Sequence, residues 1–552
     1  MSRYVSPERA RSTDERPLHQ WTLALAMRDR ALILPALLLA AFAINLDTTI
    51  VNVALPSLVR ELHASNTQLQ WIVDAYNLVF AALLLASGSL SDRVGRKGML
   101  LAGLGVFGGA SLVGGLMSTP GQLIVARCVM GLGAAMIFPA TLSLISNVFT
   151  ERAERATAIG LWGATAGAAI ALGPIVGGWL LEHFSWTSIF FAMAPVAAAA
   201  AAWVAWAVPT SRDPQARRID GGGFVLSTAA MALLIFTIIE APSHGWSSAR
   251  TLGGLAFAAG LLAAFVLWER RVSAPMLDVG LFRNPRFTAA SGSVTIAFFC
   301  LFGFIFLITQ YLQFFKLYSP LSTGLHLLPV ATSVGVASVL GTRLAVRFGT
   351  KLVVASGLVA VACFYAWVST VSASTSYGTI VAQMVLFGSG MGFTSAPATE
   401  AIMDVVPRAK AGVGSAVNDA TRLLGGTLGV AVIGSVYASL FASRLTSSLP
   451  EALPAELART ADSSVGAALS VSAGLGDAGQ TALAGHVHDA ASVAFFHGFS
   501  TGNLVAAAVA GAGALMAALL LPAHPLHAAS EPTRAAAPAW KSAEAATVVD
   551  DD

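Results

Sequence analysis

Runs of about twenty mostly apolar residues recur from Ala31 almost to the end of the chain, separated by short polar clusters. A run of that length, wound as an α-helix, spans the ~30 Å hydrocarbon core of a bilayer. The pattern predicts about fourteen such helices, near 31–54, 69–90, 99–118, 121–146, 156–180, 187–208, 221–241, 250–269, 287–313, 322–345, 351–372, 376–402, 411–440 and 493–521. A few of these runs are interrupted by charge: Asp47, Asp74, Arg127, Glu240, Glu400, Asp404, Asp419 and Arg422 all fall inside or at the edge of a predicted span.

Composition agrees with the pattern. Hydrophobic residues make up 56% of the chain and charged residues 11%, with a mean hydropathy of +0.72; a soluble domain carries roughly 25% charged residues. The first thirty residues are Arg-rich and polar, and no small-residue cleavage site follows the first apolar run, so no removable signal is expected. The net charge of +3 says little about nucleic acid, and none is expected as a partner. The placement of charge says more. With an even number of spans, about 25 of the 32 Lys and Arg fall on the side of the N-terminus and about 5 on the other. Arg93, Arg96 and Lys97, Arg217 and Arg218, Arg270 and Arg271, and Arg347 and Lys351 mark alternate loops, which predicts that both termini are cytoplasmic in a multi-pass protein of the inner (cytoplasmic) membrane.

Several chemistries lack their residues. Cys128, Cys300 and Cys363 lie in separate apolar runs without close partners, which argues against a disulfide framework or a thiolate metal site. None of the few lysines stands in the Gly-Lys-Ser/Thr context of a phosphate-binding loop, and no Ser nucleophile elbow is present. An enzyme or an ATP-driven pump is therefore not expected, nor a cofactor. Any energy for transport would come from a gradient. "GHVHD" at 485–489 could supply metal ligands, but with no further ligand nearby a solvated loop is the simpler reading.

"GSLSDRVGRKGML", residues 88–100, sets Gly88, Asp92, Arg93, Gly95, Arg96 and Lys97 in a short turn. A positive-inside loop explains the bases but not the acid and placed glycines. The string resembles the signature of the major facilitator superfamily between its second and third helices, where acid and bases form a cytoplasmic latch that stabilises the outward-facing state. A weakened copy, "RFGTK" at 347–351, appears where the parallel repeat of such transporters would put it, with Val346 in place of the acid. "RCVMGLGAA" from Arg127 resembles the fourth-helix motif, whose Arg is tied to proton transfer. On physical grounds alone, a guanidinium in a span must face an acid or a cavity, or snorkel to a headgroup.

In "GATAGAAIALGPIVGGWL", residues 163–180, Gly163 and Gly167, then Gly173 and Gly177, are four apart, as close helix packing requires, while Pro174 bends the helix. With Gly178 the ending resembles the antiporter motif of exporters in the superfamily. "LDTTIVNVALP" at 46–56, "LQWIVDAYNL" at 69–78 and "AGVGSAVNDATRLLGGTLGVAVIGS" at 411–435 resemble motifs of the fourteen-span drug:proton antiporter branch.

The resemblance implies an all-α polytopic membrane protein with the major facilitator fold, two six-helix bundles plus two extra transmembrane helices. The chain then divides into a cytoplasmic segment 1–30, a first bundle 31–208, two inserted helices with linkers 209–286, a second bundle 287–521 carrying a long exterior loop 441–492, and a disordered tail 522–552. The expected activity is proton-coupled efflux of amphipathic, cationic small molecules by alternating access, with small-molecule substrate, protons and membrane lipids as partners. Two rivals remain open, an exporter dedicated to one metabolite and a non-transporting receptor on the same fold.

Asp47, Arg127, Asp74 and Glu400 are the candidates for proton coupling. Asn45 and Asn52 share a helical face, with Asp47 roughly 160° away, so this helix is expected to be wedged among others. Asn45, Asn52, Trp71, Tyr76, Trp162, Phe304 and Tyr311 are candidates for a polar and aromatic substrate lining. Asp419 and Arg422, three apart, are expected to form a structural pair.

Overall fold

A computed structural model describes residues 15–149, 151–211, 220–273, 275, 277–406 and 411–522. Residues 1–14 of the N-terminal segment and the tail from 523 lie outside it, as do Arg217 and Arg218. The described chain is helical, in the order α1 (Glu15–Leu62), α2 (Asn66–Val94), α3 (Arg96–Gly115), α4 (Pro120–Val148), α5 (Arg152–His183), α6 (Ser188–Ala207), α7 (Gly221–His244), α8 (Ala249–Glu269), α9 (Pro285–Phe314), α10 (Pro320–His326), α11 (Leu328–Phe348), α12 (Thr350–Val368), α13 (Tyr377–Val405), α14 (Ala411–Ser448), α15 (Ala455–Asp462), α16 (Val465–Asp477) and α17 (Thr481–Leu520).

Local sequence sets the starts. Ser65 and Gln68 form a reciprocal capping box at α2, Thr119 caps α4 ahead of Pro120 at its first turn, and Ser248, Ser319, Ser376 and Ser464 each accept a backbone N–H at the start of α8, α10, α13 and α16. Gly95 (φ 128°) and Gly349 (φ 90°) turn the chain between α2 and α3 and between α11 and α12. The two "R-x-G-x-K" strings thus occupy matching corners of two repeats.

Thirteen of the described helices or helix pairs are long and apolar enough to cross a membrane. To these we add α2, whose 29 residues include Gln70, Asp74 and Asn77. Large apolar side chains such as Leu112, Leu116, Trp206, Phe257 and Leu519 point outward, as a lipid-facing surface requires. The protein is a multi-pass membrane protein.

The face on which α1 begins and α17 ends is called the terminal face here, and the opposite one the far face. α1 to α6 form one bundle and α9 to α14 with α17 the other, while α7 packs against α2 and α14 and carries α8 on its side. The bundles meet through α5 with α10, α2 with α14, and α1 with α9. Gln313 donates to the Val53 carbonyl at 2.9 Å, Ser435 to Gln70 at 3.1 Å, and the Asn66 amide to Ser463 at 2.9 Å, all toward the far face. Nearer the terminal face, Ile159, Leu161 and the Gly163 position on α5 are exposed. The polar contacts between the bundles thus gather toward the far face.

The segment 441–492, expected as a loop, is helical. α14 runs on to Ser448, and α15, α16 and the first turns of α17 account for most of the rest, with the His486 and His488 positions on α17. Alanine and serine read as loop residues from composition, but Val465, Ala468, Val471 and Leu475 give α16 a buried stripe. α16 straps the far face: a Cβ on Gly466 would lie 2.6 Å from Val59 on α1 and 2.7 Å from Phe314 on α9.

Candidate functional site

α1 is buried from Ile33 to Val59 on almost every side, among α4, α5, α6 and α9. Asp47 lies mid-helix, and its Oδ2 accepts from Arg127 Nη1 on α4 at 2.5 Å, with both side chains shut away from solvent. Arg127 is held on two further sides: its Nε donates to the Ile72 carbonyl at 2.9 Å, and the guanidinium stands 4.3 Å from the Tyr76 ring centroid. Tyr76 in turn donates to the Ile44 carbonyl at 2.9 Å. These contacts tie α1, α2 and α4 around one charge pair. Arg127 takes an acid, not a headgroup, and a buried pair of this kind holds only while both charges stay.

Asp74 differs. It is fully buried one turn from Gln70, on the side of α2 that meets α14, and among the described residues neither of its carboxylate oxygens has a hydrogen-bond partner. Asn52 Oδ1, both side-chain polar atoms of Asn77, and Gln310 Oε1 are likewise buried and unpartnered. They lie on α1, α2 and α9, the helices along the seam between the bundles. Asn77, Gln310 and Gln313 were not singled out from the sequence; the signal was there for Asn77, three residues from Asp74 on the same helical face. Asn45 and Asn52 spend their amides on α1 itself, donating to the Ala41 carbonyl at 2.7 Å and the Thr48 carbonyl at 3.2 Å.

The aromatic lining does not assemble. Phe304 packs between Phe364 and Phe387 inside the second bundle, at 5.4 and 4.9 Å between ring centroids. Tyr311 donates to the Ser372 carbonyl and packs on Phe499 near the far face, and Trp162 donates to Thr141 and packs on Phe138. Trp71 meets Phe236 of α7 at 6.1 Å. Each ring fills a packing gap on its own side, which composition could not distinguish from a shared chamber.

The glycines of α5 divide. A Cβ at Gly163 or Gly167 would meet nothing within 4 Å, so the close packing expected of that first pair is absent in this state. At Gly173 it would run into Thr49, at Gly177 it would lie 2.7 Å from Ile50, and at Gly178 it would strike the Pro320 carbonyl and lie 2.6 Å from Leu321 Cα. Gly324 of α10 faces the Pro174 carbonyl in the same way. Gly173 and Gly177 pack α5 on α1, whereas Gly178 and Gly324 let the two bundles touch backbone to backbone.

At the corner after α2, the side chain of Asp92 lies outside the described residues. Gly88 stands 3.6 Å, by its absent Cβ, from Pro139; the Arg96 amide donates to the Ser211 carbonyl at 2.9 Å, Lys97 reaches the Ala205 carbonyl at 2.8 Å, and Arg93 is exposed. Near the terminal face of the second bundle, Glu400 is exposed one turn from Asp404, which pairs with Arg286 at 3.1 Å. Asp419 and Arg422 stand 3.9 Å apart, and Arg422 donates to Thr399. "IVAQ" at 380–383 matches "IVAR" at 124–127, so the second bundle carries a buried Gln383 where the first has Arg127.

Two bundles of parallel repeat, joined toward the far face and with a buried ion pair inside the first, define a secondary carrier of the alternating-access type. Residues 37–430 match the profile of the Major Facilitator Superfamily. The chain is 35% identical to the multidrug efflux pump LfrA of Mycolicibacterium smegmatis over 498 residues, 90% of this chain and 95% of that one. It is also 35% identical to the methylenomycin A resistance protein of Streptomyces coelicolor, over 71% of this chain and 82% of that one. Among solved structures, a bacterial homolog of the human lysosomal transporter Spinster shares the fold, with a TM-score of 0.60 at 15% identity, covering 88% of this chain and 97% of that one. The chain belongs to the major facilitator superfamily, and is a transporter and not an enzyme.

Proposed function

We propose that this protein exports amphipathic, cationic small molecules in exchange for protons across the cytoplasmic membrane, with no cofactor. The names of the relatives support efflux, and the Lys/Arg asymmetry supports a cytoplasmic terminal face and an exterior far face. The observation that carries the coupling is the closed pair of Asp47 and Arg127. A proton arriving from outside neutralises Asp47, the guanidinium loses its counter-charge, and the tie between α1 and α4 loosens. Asp74, without a partner among the described residues, is the carboxylate free to receive a cationic cargo. Glu400, exposed near the terminal face, is a further carboxylate on the cargo's route. Exchanging one proton for a singly charged cation moves no net charge, so the pH difference drives it: a 100-fold gradient of cargo takes about 2.7 kcal/mol, which about two pH units at about 1.36 kcal/mol each supply.

The test is export of a cationic dye from proteoliposomes under an imposed pH gradient, with wild type beside Asp47→Asn. Gradient-dependent export that the substitution abolishes supports the reading. Equal gradient-driven export by both proteins removes Asp47 from the proton path, and no export of any cation by wild type sinks the assignment.

A further inference from the structure

The inserted pair α7 and α8 carries charges for which the transport reading has no use. The helices join at the far face through a turn whose Trp246 donates to Ser439 on α14 at 3.0 Å. Between them is a cavity of about 210 Å³ lined by Leu233, Phe236, Glu240, His244, Arg250 and Thr251, among others. A pinch forms one end of it, where a Cβ on Gly254 would lie 2.6 Å from Thr237 Oγ1.

The polar groups here are mismatched among themselves. His244 Nδ1 lies 3.1 Å from the Glu240 carbonyl and donates to it, while Nε2 accepts from Arg250 Nη1 at 2.5 Å, so the ring is neutral and gives the guanidinium no counter-charge. Among the described residues neither Arg250 nor Glu240 has an ion-pair partner; the Glu240 carboxylate meets only the Ser243 hydroxyl, at 3.5 Å. An acid and a base thus face one cavity at the edge of the bilayer and do not neutralise each other. A simple cation suits Glu240 but is opposed by Arg250, and a simple anion meets the reverse conflict. A ligand carrying an ammonium and a phosphate satisfies both. Leu233 and Phe236 extend the wall in apolar form, and Leu252 and Phe257 on α8 are exposed beside it to the lipid.

We infer that the cleft between α7 and α8 binds the headgroup of an aminophospholipid, its phosphate on Arg250 and its ammonium on Glu240. The occupant bears on the carrier through Phe236, which lines the cleft and touches Trp71, three residues from Asp74 on α2.

The test is native mass spectrometry of the full-length protein in detergent, titrated with phosphatidylethanolamine, phosphatidylglycerol or free phosphoethanolamine. Wild type should retain one phosphatidylethanolamine about fivefold more tightly than phosphatidylglycerol, the worth of one partly exposed ion pair. Glu240→Gln should erase that preference, and Arg250→Gln should weaken retention of both lipids, each with thermal unfolding unchanged. The wild-type comparison needs no variant, so equal retention of the two lipids overturns the inference even if a variant misfolds. A folded Glu240→Gln that keeps the preference, or a folded Arg250→Gln that retains both lipids as tightly as wild type, overturns it too. Free phosphoethanolamine binding as tightly as the lipid would make the site one for a soluble zwitterion and refute the lipid assignment.

Discussion

Replacing Gly178 by Ala adds one methyl group where the two bundles touch, and the consequence follows from the contacts. The new Cβ would strike the Pro320 carbonyl and stand 2.6 Å from Leu321 Cα, both backbone atoms of α10 that no rotamer change can move. Carbon atoms settle at about 3.5–4.0 Å, so α10 must retreat by about 1 Å. Overpacking of this kind costs about 2 kcal/mol. Only the state sealed at the far face bears the cost, because opening that face separates α5 from α10. The ratio of sealed to opened states should therefore fall roughly thirtyfold. Spin labels at the exposed Glu182 and Leu325, with the exposed Cys363 replaced by serine, report the separation by electron–electron double resonance. The distribution should gain a longer distance in Gly178→Ala. Gly163→Ala is the control: the same motif and the same methyl, with nothing within 4 Å to meet it. An unchanged distribution in the first variant, or an equal shift in the second, would refute the reasoning.

Removing either member of the Asp47–Arg127 pair leaves the other buried and uncompensated, at about 3–5 kcal/mol. Thermal unfolding should show the double variant Asp47→Asn with Arg127→Gln losing less than the two single losses added; simple additivity would mean that the charges do not couple. Asp74→Asn breaks no contact within the described residues, so its melting temperature should match or exceed that of wild type while export of a cationic dye falls and that of a neutral substrate persists. A clear loss of stability would show that Asp74 has a protein partner after all.

The spans and the repeat were legible because a bilayer imposes one length and one polarity on every crossing, and because the corners at Gly95 and Gly349 keep their pattern. That Arg127 needed an acid, a cavity or a headgroup was also legible. Which acid was not, since Asp47 and Asp74 are both on helices next to α4 and only the packing sends one side chain to the guanidinium and the other to the seam. The glycine spacing in α5 reads the same at Gly163 and Gly178, and the difference lies in what stands opposite, on a helix about 140 residues away. The helical cap at 455–477 was lost to composition: alanine, glycine and serine look like linker until a neighbouring surface gives them something to cover.

That cap has a mechanical meaning. α16 is wedged between Val59 and Phe314, and Ser463 holds the start of α2, so a rocking motion that parts α1 from α9 at the far face must first pull α16 free of one of them. The resistance is the same whatever molecule has just departed, because none of these residues depends on the passenger. The cap thus behaves as a return spring, drawing the far face shut again after each passage.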